Sequence, residues 1–509
     1  MAAKQSAQGN QSLESRVLKR EIGLPECVTI IAGAVIGVGL FTVGSQQVGT
    51  MGTSVIIASL ISVIITVFPS ALYGEMAAAL PLAGGTYAYT KRAISYPVGI
   101  FVSWNYTIAQ IGIAVAEGLA FANYLNLLIY ACGGPKDLID ARVSGSALVL
   151  VFVFVNYFGI KIAGKAQNAL LYFFWVASLI WFVINFKNID FANFSPVLEG
   201  IPPKATEMAF NTLMVLWCFF GFETCVGMGA EVKHARITIP RALIISPFIV
   251  LAVNSLWWWF LNGITPAGSR ELLATADAPF ADAMNIAGIL GFPLILLCLT
   301  ITLGGDFSSM NPLVTGAARY MYLMSNDGSL PKFCGKLHPK YKSPYISVII
   351  IGVIGVLLIM TNNIVQVALM CAYAQISCYV LGYVSFICLR VKEPNLERPW
   401  KVKAGIPIAI LAIIVYLVLA VLAYDPEALP WNIGFDILCV IYIVVHLVIL
   451  KHPIPEDSKD IDKITMTFPD PTPEEKRKLD RQFHRWIGIA VIASVIAIVI
   501  FIFGSYMGG

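Results

Sequence analysis

Apolar runs of about 20 residues recur from end to end of this chain, and about 20 residues of α-helix is what a bilayer's hydrocarbon core requires. Such runs lie near 27–48, 53–80, 95–130, 143–160, 167–187, 207–230, 240–264, 286–325, 344–362, 363–390, 405–424, 431–450 and 486–505. The third and eighth are longer than needed, so they extend past the hydrocarbon or tilt. The stretch 278–288, APFADAMNIAG, reads as a short surface helix before the eighth run. Residues 452–484 form the one sizeable polar segment, rich in Pro, Asp, Glu and Lys. Its PTPEEKRKLDRQFHR reads as a short capped amphipathic helix, part of a linker on the inner leaflet.

Composition strengthens this picture. Of 509 residues, 58% are hydrophobic and 13% charged, against about 25% charged in an ordinary soluble domain. That is too little charge for a water-facing surface of this size, so the sequence predicts an all-α polytopic membrane protein. The first 26 residues are polar and show no cleavable signal peptide. With the N-terminus placed in the cytoplasm, only Lys136, Arg142, Lys187, Lys204 and Arg270 of the 34 Lys and Arg fall outside. This positive-inside bias sets the orientation. The thirteenth run then leaves the C-terminal GSYMGG outside. The net charge of +4 carries no message about nucleic acid, because the basic residues follow the membrane. Most of the ten cysteines sit in apolar runs, and a disulfide framework is not expected.

The first run contains GAVIGVGLF, Gly33 to Phe41. Gly33 and Gly37 form a small-xxx-small face that lets helices approach closely. The alternative is a broken helix, in which Gly37, Val38 and Gly39 leave helical geometry in mid-membrane. The sixth run carries a second interruption, LWCFFGFETCVGMGAE, with Gly221, Gly227 and Gly229 and the acid Glu223. These two runs are the first members of two candidate five-span halves. Matched interruptions in corresponding members of two halves point to a transport site. A half-helix N-terminus after Gly39 offers N–H groups to a carboxylate. Carbonyls near Val35 and Phe220 suit an ammonium, so the pair suits an α-amino acid.

GAVIGVGLF resembles the G-x-x-I-G-x-G-I-F signature of the amino acid–polyamine–organocation superfamily. YGEMAAALPLAGGTYAYTKRA, Tyr73 to Ala93, resembles its Y-x-E-L…P-x-A-G-G-x-Y-x-Y stretch. GAEVKHARITIPRAL, Gly229 to Leu243, is similar to its A-E-E-x-K-x-P-x-R-x-I-P-R-A loop, and ARYMYLMSNDGSLPK, Ala318 to Lys332, to the end of its eighth span. The four motifs keep their order over roughly residues 19–400. The resemblance implies a LeuT-type 5+5 inverted-repeat core over 27–390, between a cytoplasmic tail (1–26) and accessory helices eleven and twelve (391–450). A cytoplasmic linker (451–485) and a thirteenth transmembrane helix (486–509) follow. It implies secondary transport of amino acids or related amines. Carried over residue by residue, it puts the substrate carboxylate at the amides of Gly37, Val38 and Gly39. The ammonium falls on the carbonyls of Val35, Ile36 and Phe220, beside Gly221. Trp217 matches an aromatic gate, and Glu223 an acid that arginine–agmatine antiporters use as a proton sensor. Two departures stand out: Phe174 occupies the position of a common span-five lysine, and Val38 replaces a common Ser.

An acid in mid-membrane costs a few kcal/mol and has a partner or a task. Glu75 reads either as a structural pair or as functional. Glu117 and Asp306 fall toward the outer half of spans three and eight. Alignment on FANYL puts Ala114 at the substrate and Glu117 about one turn further out. Such an acidic pair attracts a cation or carries a proton alternating with substrate; plain solvent exposure is the other reading. Gly37, Val38, Ala114 and Leu313 outline an apolar pocket for a small amino acid, with a cationic amine as competitor. Asp436 and His446 suit packing or an oligomer contact, so a homodimer is open. LWWWFL, Leu256 to Leu261, reads as an interfacial belt. No metal-ligand spacing, Walker loop or nucleophile elbow is present, so neither an enzyme nor a metal or other cofactor is expected. Beyond a carrier, a non-transporting sensor and a channel stay open; the chain lacks a pore loop or charge ring for the last.

Overall fold

The computed structural model describes residues 17–194, 205–360, 364–422, 425–451, 462–467 and 469–508. The N-terminal tail up to residue 16, Lys204 and the start of the polar linker therefore lie outside the described residues. Helices occur at all thirteen expected positions, and nine of the described helices are long and apolar enough to cross a membrane. Only two isolated bridges, Ile22 with Val232 and Ala83 with Met228, relieve the helical pattern among the described residues. The protein is an all-α polytopic membrane protein.

The first crossing is two helices, α1 (Leu24–Val35) and α2 (Gly44–Met51), joined through a π-helical turn at Gly39–Val43. The Glu26 carboxylate accepts the Gly23 N–H at 2.9 Å and starts α1, with Pro25 in its first turn. Next come α3 (Val55–Ala79), the short α4 (Gly85–Ala93), α5 (Tyr96–Ala131), α6 (Ala141–Tyr157) and α7 (Ile160–Asn185). The sixth crossing is again divided, into α8 (Ala205–Trp217) and the single turn α9 (Glu223–Gly227). Then α10 (Ala235–Ile264) and α11 (Pro279–Ile286) lead to the eighth crossing. That crossing is α12 (Phe292–Leu299), a π-helical segment (Thr300–Asp306) and α13 (Phe307–Asn326). The chain ends through α14 (Tyr345–Ile359), α15 (Ile364–Lys392), α16 (Gly405–Leu422), α17 (Ala428–Val444) and α18 (Pro473–Gly508).

Burial sorts these helices into two kinds. Every residue of α1 from Cys27 to Val35 is buried, and so is nearly all of α13. By contrast α16, α17 and α18 expose Leu411, Val421, Ile437, Ile441, Ile492 and Ile502. Lipid tails are the natural neighbours of such side chains, since hydrocarbon leaves only helix-internal backbone bonding possible. The added helix α18 lies against α10, where Ser494 Oγ donates to the Phe248 carbonyl and Arg241 pairs with Asp480.

Two expectations change. The LWWWFL stretch is not an interfacial belt: Trp257, Trp258 and Trp259 are all buried. Trp257 packs edge-on to Phe41 at 5.0 Å and to Phe280 of α11 at 5.2 Å, and Trp258 Nε1 donates to the Leu40 carbonyl at 3.3 Å. The tryptophan rings close this end of the first crossing, which supplies both the Phe41 ring and the Leu40 carbonyl. For the same reason α11 is covered, with Phe280 and Met284 buried inside. Asp436 accepts from Asn105 Nδ2 at 2.8 Å, a contact within the chain that fits its packing reading.

The face that carries most Lys and Arg is sewn together by ions. Glu75 is buried and takes two bonds of 2.6 Å from Arg390, a third from the Val402 N–H at 2.7 Å, and Arg398 at 3.3 Å. Glu231 and Arg319 form a second buried bidentate pair, at 2.7 and 2.9 Å. Arg92 and Glu393 make a similar fork on the surface, at 2.8 and 2.7 Å. Glu75→Ala leaves the partly buried Arg390 with the Val402 carbonyl but no carboxylate, and a loss of about 3 kcal/mol is expected in thermal unfolding of the detergent-purified chain. Glu393→Ala is expected to cost only about 0.2–1 kcal/mol. The Arg92 guanidinium holds the Glu393 carboxyl below its ordinary 4.5, so this small term is present above that pH and fades as pH falls through the lowered value.

Candidate functional site

The first break lies slightly earlier than the glycine pattern predicts. Helix α1 closes at Val35, and Ile36 is extended with ψ 98°. Val38 is already helical, at φ −53° and ψ −32°. The interruption is thus Ile36–Gly37, and Gly39 opens the π-turn of the second half. The two glycines of the small-xxx-small face have different tasks. A Cβ on Gly33 would collide with Gln167 Nε2 of α7 and come within 2.9 Å of the Ser308 carbonyl, so Gly33 is close packing. A Cβ on Gly37 would stand 2.5 Å from both carboxylate oxygens of Glu117, so Gly37 keeps a path open to an acid.

At the second break the chain turns through Cys218–Phe222, held by short-range bonds such as Phe219 N to the Leu216 carbonyl at 2.8 Å. Gly221 has φ +122°, a conformation that side chains disfavour. Any Cβ there would also press on Ala34 and on the Val35 side chain at 3.1 and 3.3 Å. The two breaks therefore touch, and Cys218 Sγ approaches the Gly39 carbonyl at 3.0 Å. Glu223 begins α9 and is fully used: Tyr379 of α15 donates to it at 2.5 Å and Gln110 of α5 at 3.4 Å. Phe222 stacks on the same Tyr379 ring at 5.0 Å.

Between the breaks lies a cavity of about 10 Å³, lined by Ala34, Val35, Gly39, Ile113, Glu117, Trp217 and Phe220. That is room for about one water and not for an amino acid, so the site is nearly shut. Of the residues named from sequence, Val35, Gly39, Glu117, Trp217 and Phe220 meet there. Ile36, Gly37, Val38 and Gly221 form the adjoining chain breaks. Ala114 and Leu313 are buried and do not line the cavity. Ile113 stands where Ala114 was expected, a one-residue offset that turns a helical side chain by about 100°. Ala34 and Ile113 have apolar side chains in apolar helices, so nothing in the sequence marks them.

Glu117 makes the contact that sequence reading missed. Both its carboxylate oxygens accept from the Val38 N–H, at 3.0 and 2.9 Å. The group is buried, with Ser309 and Asp306 as its other neighbours. Asp306 ends the π-helical segment, is fully buried, and has its carboxyl against that of Glu117. Glu117 and Asp306 thus share one dry space and are not solvent-exposed vestibule acids. The π-segment brings them together: its Gly304 packs on Phe174 and its Gly305 on Phe41, beside Gly37. Phe174 lies 5.9 Å from the Phe41 ring, so an aromatic contact stands at the position of the lysine that the resemblance implies.

A profile described as amino acid permease matches residues 22–450. A branched-chain amino acid permease of Bacillus subtilis is 23% identical over 411 residues, covering 77% of this chain and 85% of that protein. The human Asc-type amino acid transporter 1 is 23% identical over 440 residues, covering 84% and 81%. A methylthioribose transporter of Bacillus subtilis is 21% identical, covering 76% and 85%. The segment 451–509, with α18, falls beyond the matched residues. With these matches and two touching helix breaks in a bundle of membrane helices, the chain belongs to the amino acid permease family, within the amino acid–polyamine–organocation superfamily.

Proposed function

We propose that the protein carries amino acids across the cell membrane by alternating access. A 5+5 repeat would place α1–α3 and α8–α10 in a bundle that rocks against a scaffold of α5, α6, α13 and α14. The observation that carries this reading is the Val38 N–H, a helix-start donor that holds a carboxylate from another helix. A solute's carboxylate would take the Val38 and Gly39 amides. Its ammonium would face the carbonyls that end α1 and α8, at Val35, Ile36 and Phe220, since the last carbonyls of a helix lack partners within it. Trp217 would close over the solute. The walls are apolar apart from Glu117, which suits a neutral, small or aliphatic side chain. The branched-chain permease named above supports the same class. Coupling would be proton symport or exchange, with Glu223, Glu117 and Asp306 as the acids within reach.

One observation favours a second reading, an amine without a carboxylate: Glu117 in the cavity wall could face an ammonium directly. Removing the carboxylate from the solute separates the two. Binding is expected to vanish for the amine if the first reading holds.

Two outcomes test the carrier. In proteoliposomes, uptake of a labelled neutral amino acid is expected to saturate and to accelerate with unlabelled solute inside. A sensor gives no flux, and a channel gives flux without saturation or counter-transport. Gly39→Ala is expected to be tolerated, because its Cβ meets Cys218 and Trp217 at ordinary contact distances of 3.5 and 3.6 Å. Gly39→Leu overfills the cavity and is expected to cut uptake about tenfold or more, since overpacking costs about 1–3 kcal/mol. Uptake at the wild-type rate by a folded Leu variant would remove this site.

A further inference from the structure

The Val38 amide can hold one anion at a time, and Glu117 already occupies it. We propose that Glu117 is a built-in competitor of the solute: a solute carboxylate takes the Val38 N–H only as the Glu117–Asp306 pair takes up a proton. This rests on the amino-acid reading above and adds to it the group that links binding to protons.

The argument starts from what surrounds Glu117. From the first crossing it meets the Val38 amide and the bare Gly37. From the eighth crossing it meets Asp306 and the Ser309 hydroxyl. From the sixth crossing it meets the Trp217 and Phe220 rings across the cavity. On α5 itself, the next residue, Gly118, packs on the Gly145 backbone of α6 and on the Ile359 side chain of α14. Tyr124, two turns further along α5, donates its hydroxyl to the Phe41 carbonyl and faces Asp306. No described ion pair involves Glu117 or Asp306. Phe174, packed on Gly304 of the π-segment and on Phe41, puts a ring where the resemblance implies a lysine.

Two adjacent acids in a dry space do not both ionise. Without solute, the Val38 N–H stabilises one charge on Glu117, and Asp306 beside it keeps the proton. When a solute carboxylate takes that N–H, Glu117 loses the Val38 donor. A second free carboxylate would then stand against the solute's own, with the Ser309 hydroxyl and the Asp306 carboxyl beside it and no cation among the described residues. The balanced exchange adds one proton from the adjoining aqueous phase to a Glu117 oxygen as the N–H···O bond to Glu117 breaks and that to the solute forms. The amide faces one negative charge before and after. Release on the other side reverses each change, so the proton travels with the solute. Glu223 stands outside this exchange, because its oxygens are tied to Tyr379 and Gln110.

The test uses the full chain purified in detergent, titrated calorimetrically with L-alanine and L-leucine in buffers of different ionisation heat. Proton uptake approaching one per solute is expected where Glu117 is ionised without solute. Over that range the dissociation constant is expected to rise about tenfold per pH unit. Isoamylamine, leucine without its carboxylate, is expected to give no such uptake. Glu117→Gln is expected to bind L-leucine with a flat pH profile; the wild-type proton count stands alone should that variant not fold. Amino-acid binding with no proton uptake at any pH, or a retained slope in a folded Glu117→Gln, overturns the proposal and leaves the amino-acid reading intact. Isoamylamine binding where neither amino acid binds overturns that reading, and this proposal with it.

Discussion

A backbone N–H stranded in hydrocarbon must find an acceptor, and in this protein the one at Val38 finds Glu117. Much of the architecture around the first crossing serves that bond. The chain can break at Ile36–Gly37 because the orphan donor has an acid to satisfy it. Glu117 can be buried because the donor partly offsets the cost of removing a carboxylate from water. Gly37 must lack a side chain because the carboxylate passes where its Cβ would be. The π-segment of the eighth crossing is held close by two glycines that admit Phe41 and Phe174.

The second break is supported differently. Its turn residues bond to one another, Gly221 supplies the positive φ, and Glu223 is pinned by Tyr379 and Gln110. Its far end is anchored by Glu231 to Arg319, and the residues entering α1 join the same knot. Arg20 donates to the carbonyls of Gly229 and Val232, both at 2.9 Å, and Glu21 N donates to the Glu231 carbonyl at 2.8 Å. The two broken crossings are thus tied at the basic face and touch at mid-membrane. At the other end the Phe41, Trp257 and Phe280 rings close over them. A cavity of about 10 Å³ is what remains between these two closures. A solute at the proposed site would require one of these closures to open.

Sequence alone determined the class of protein and the number and placement of its helices. Bilayer thickness fixes run length, and lipid tolerates so few charges that their absence is unambiguous. It also located both breaks to within two residues, since glycine clusters are rare in helices without a reason. The family was legible in four ordered motifs. Tertiary structure alone decided what those residues face. No pattern places Glu117 against an amide 79 positions earlier in the chain, or Asp306 beside it. The tryptophans were misread because a belt and a buried lid share one composition. Ile113 in place of Ala114 is a matter of helix rotation, which an all-apolar helix does not encode in its own sequence: rotation is set by neighbours, and hydrocarbon and protein interior attract the same side chains.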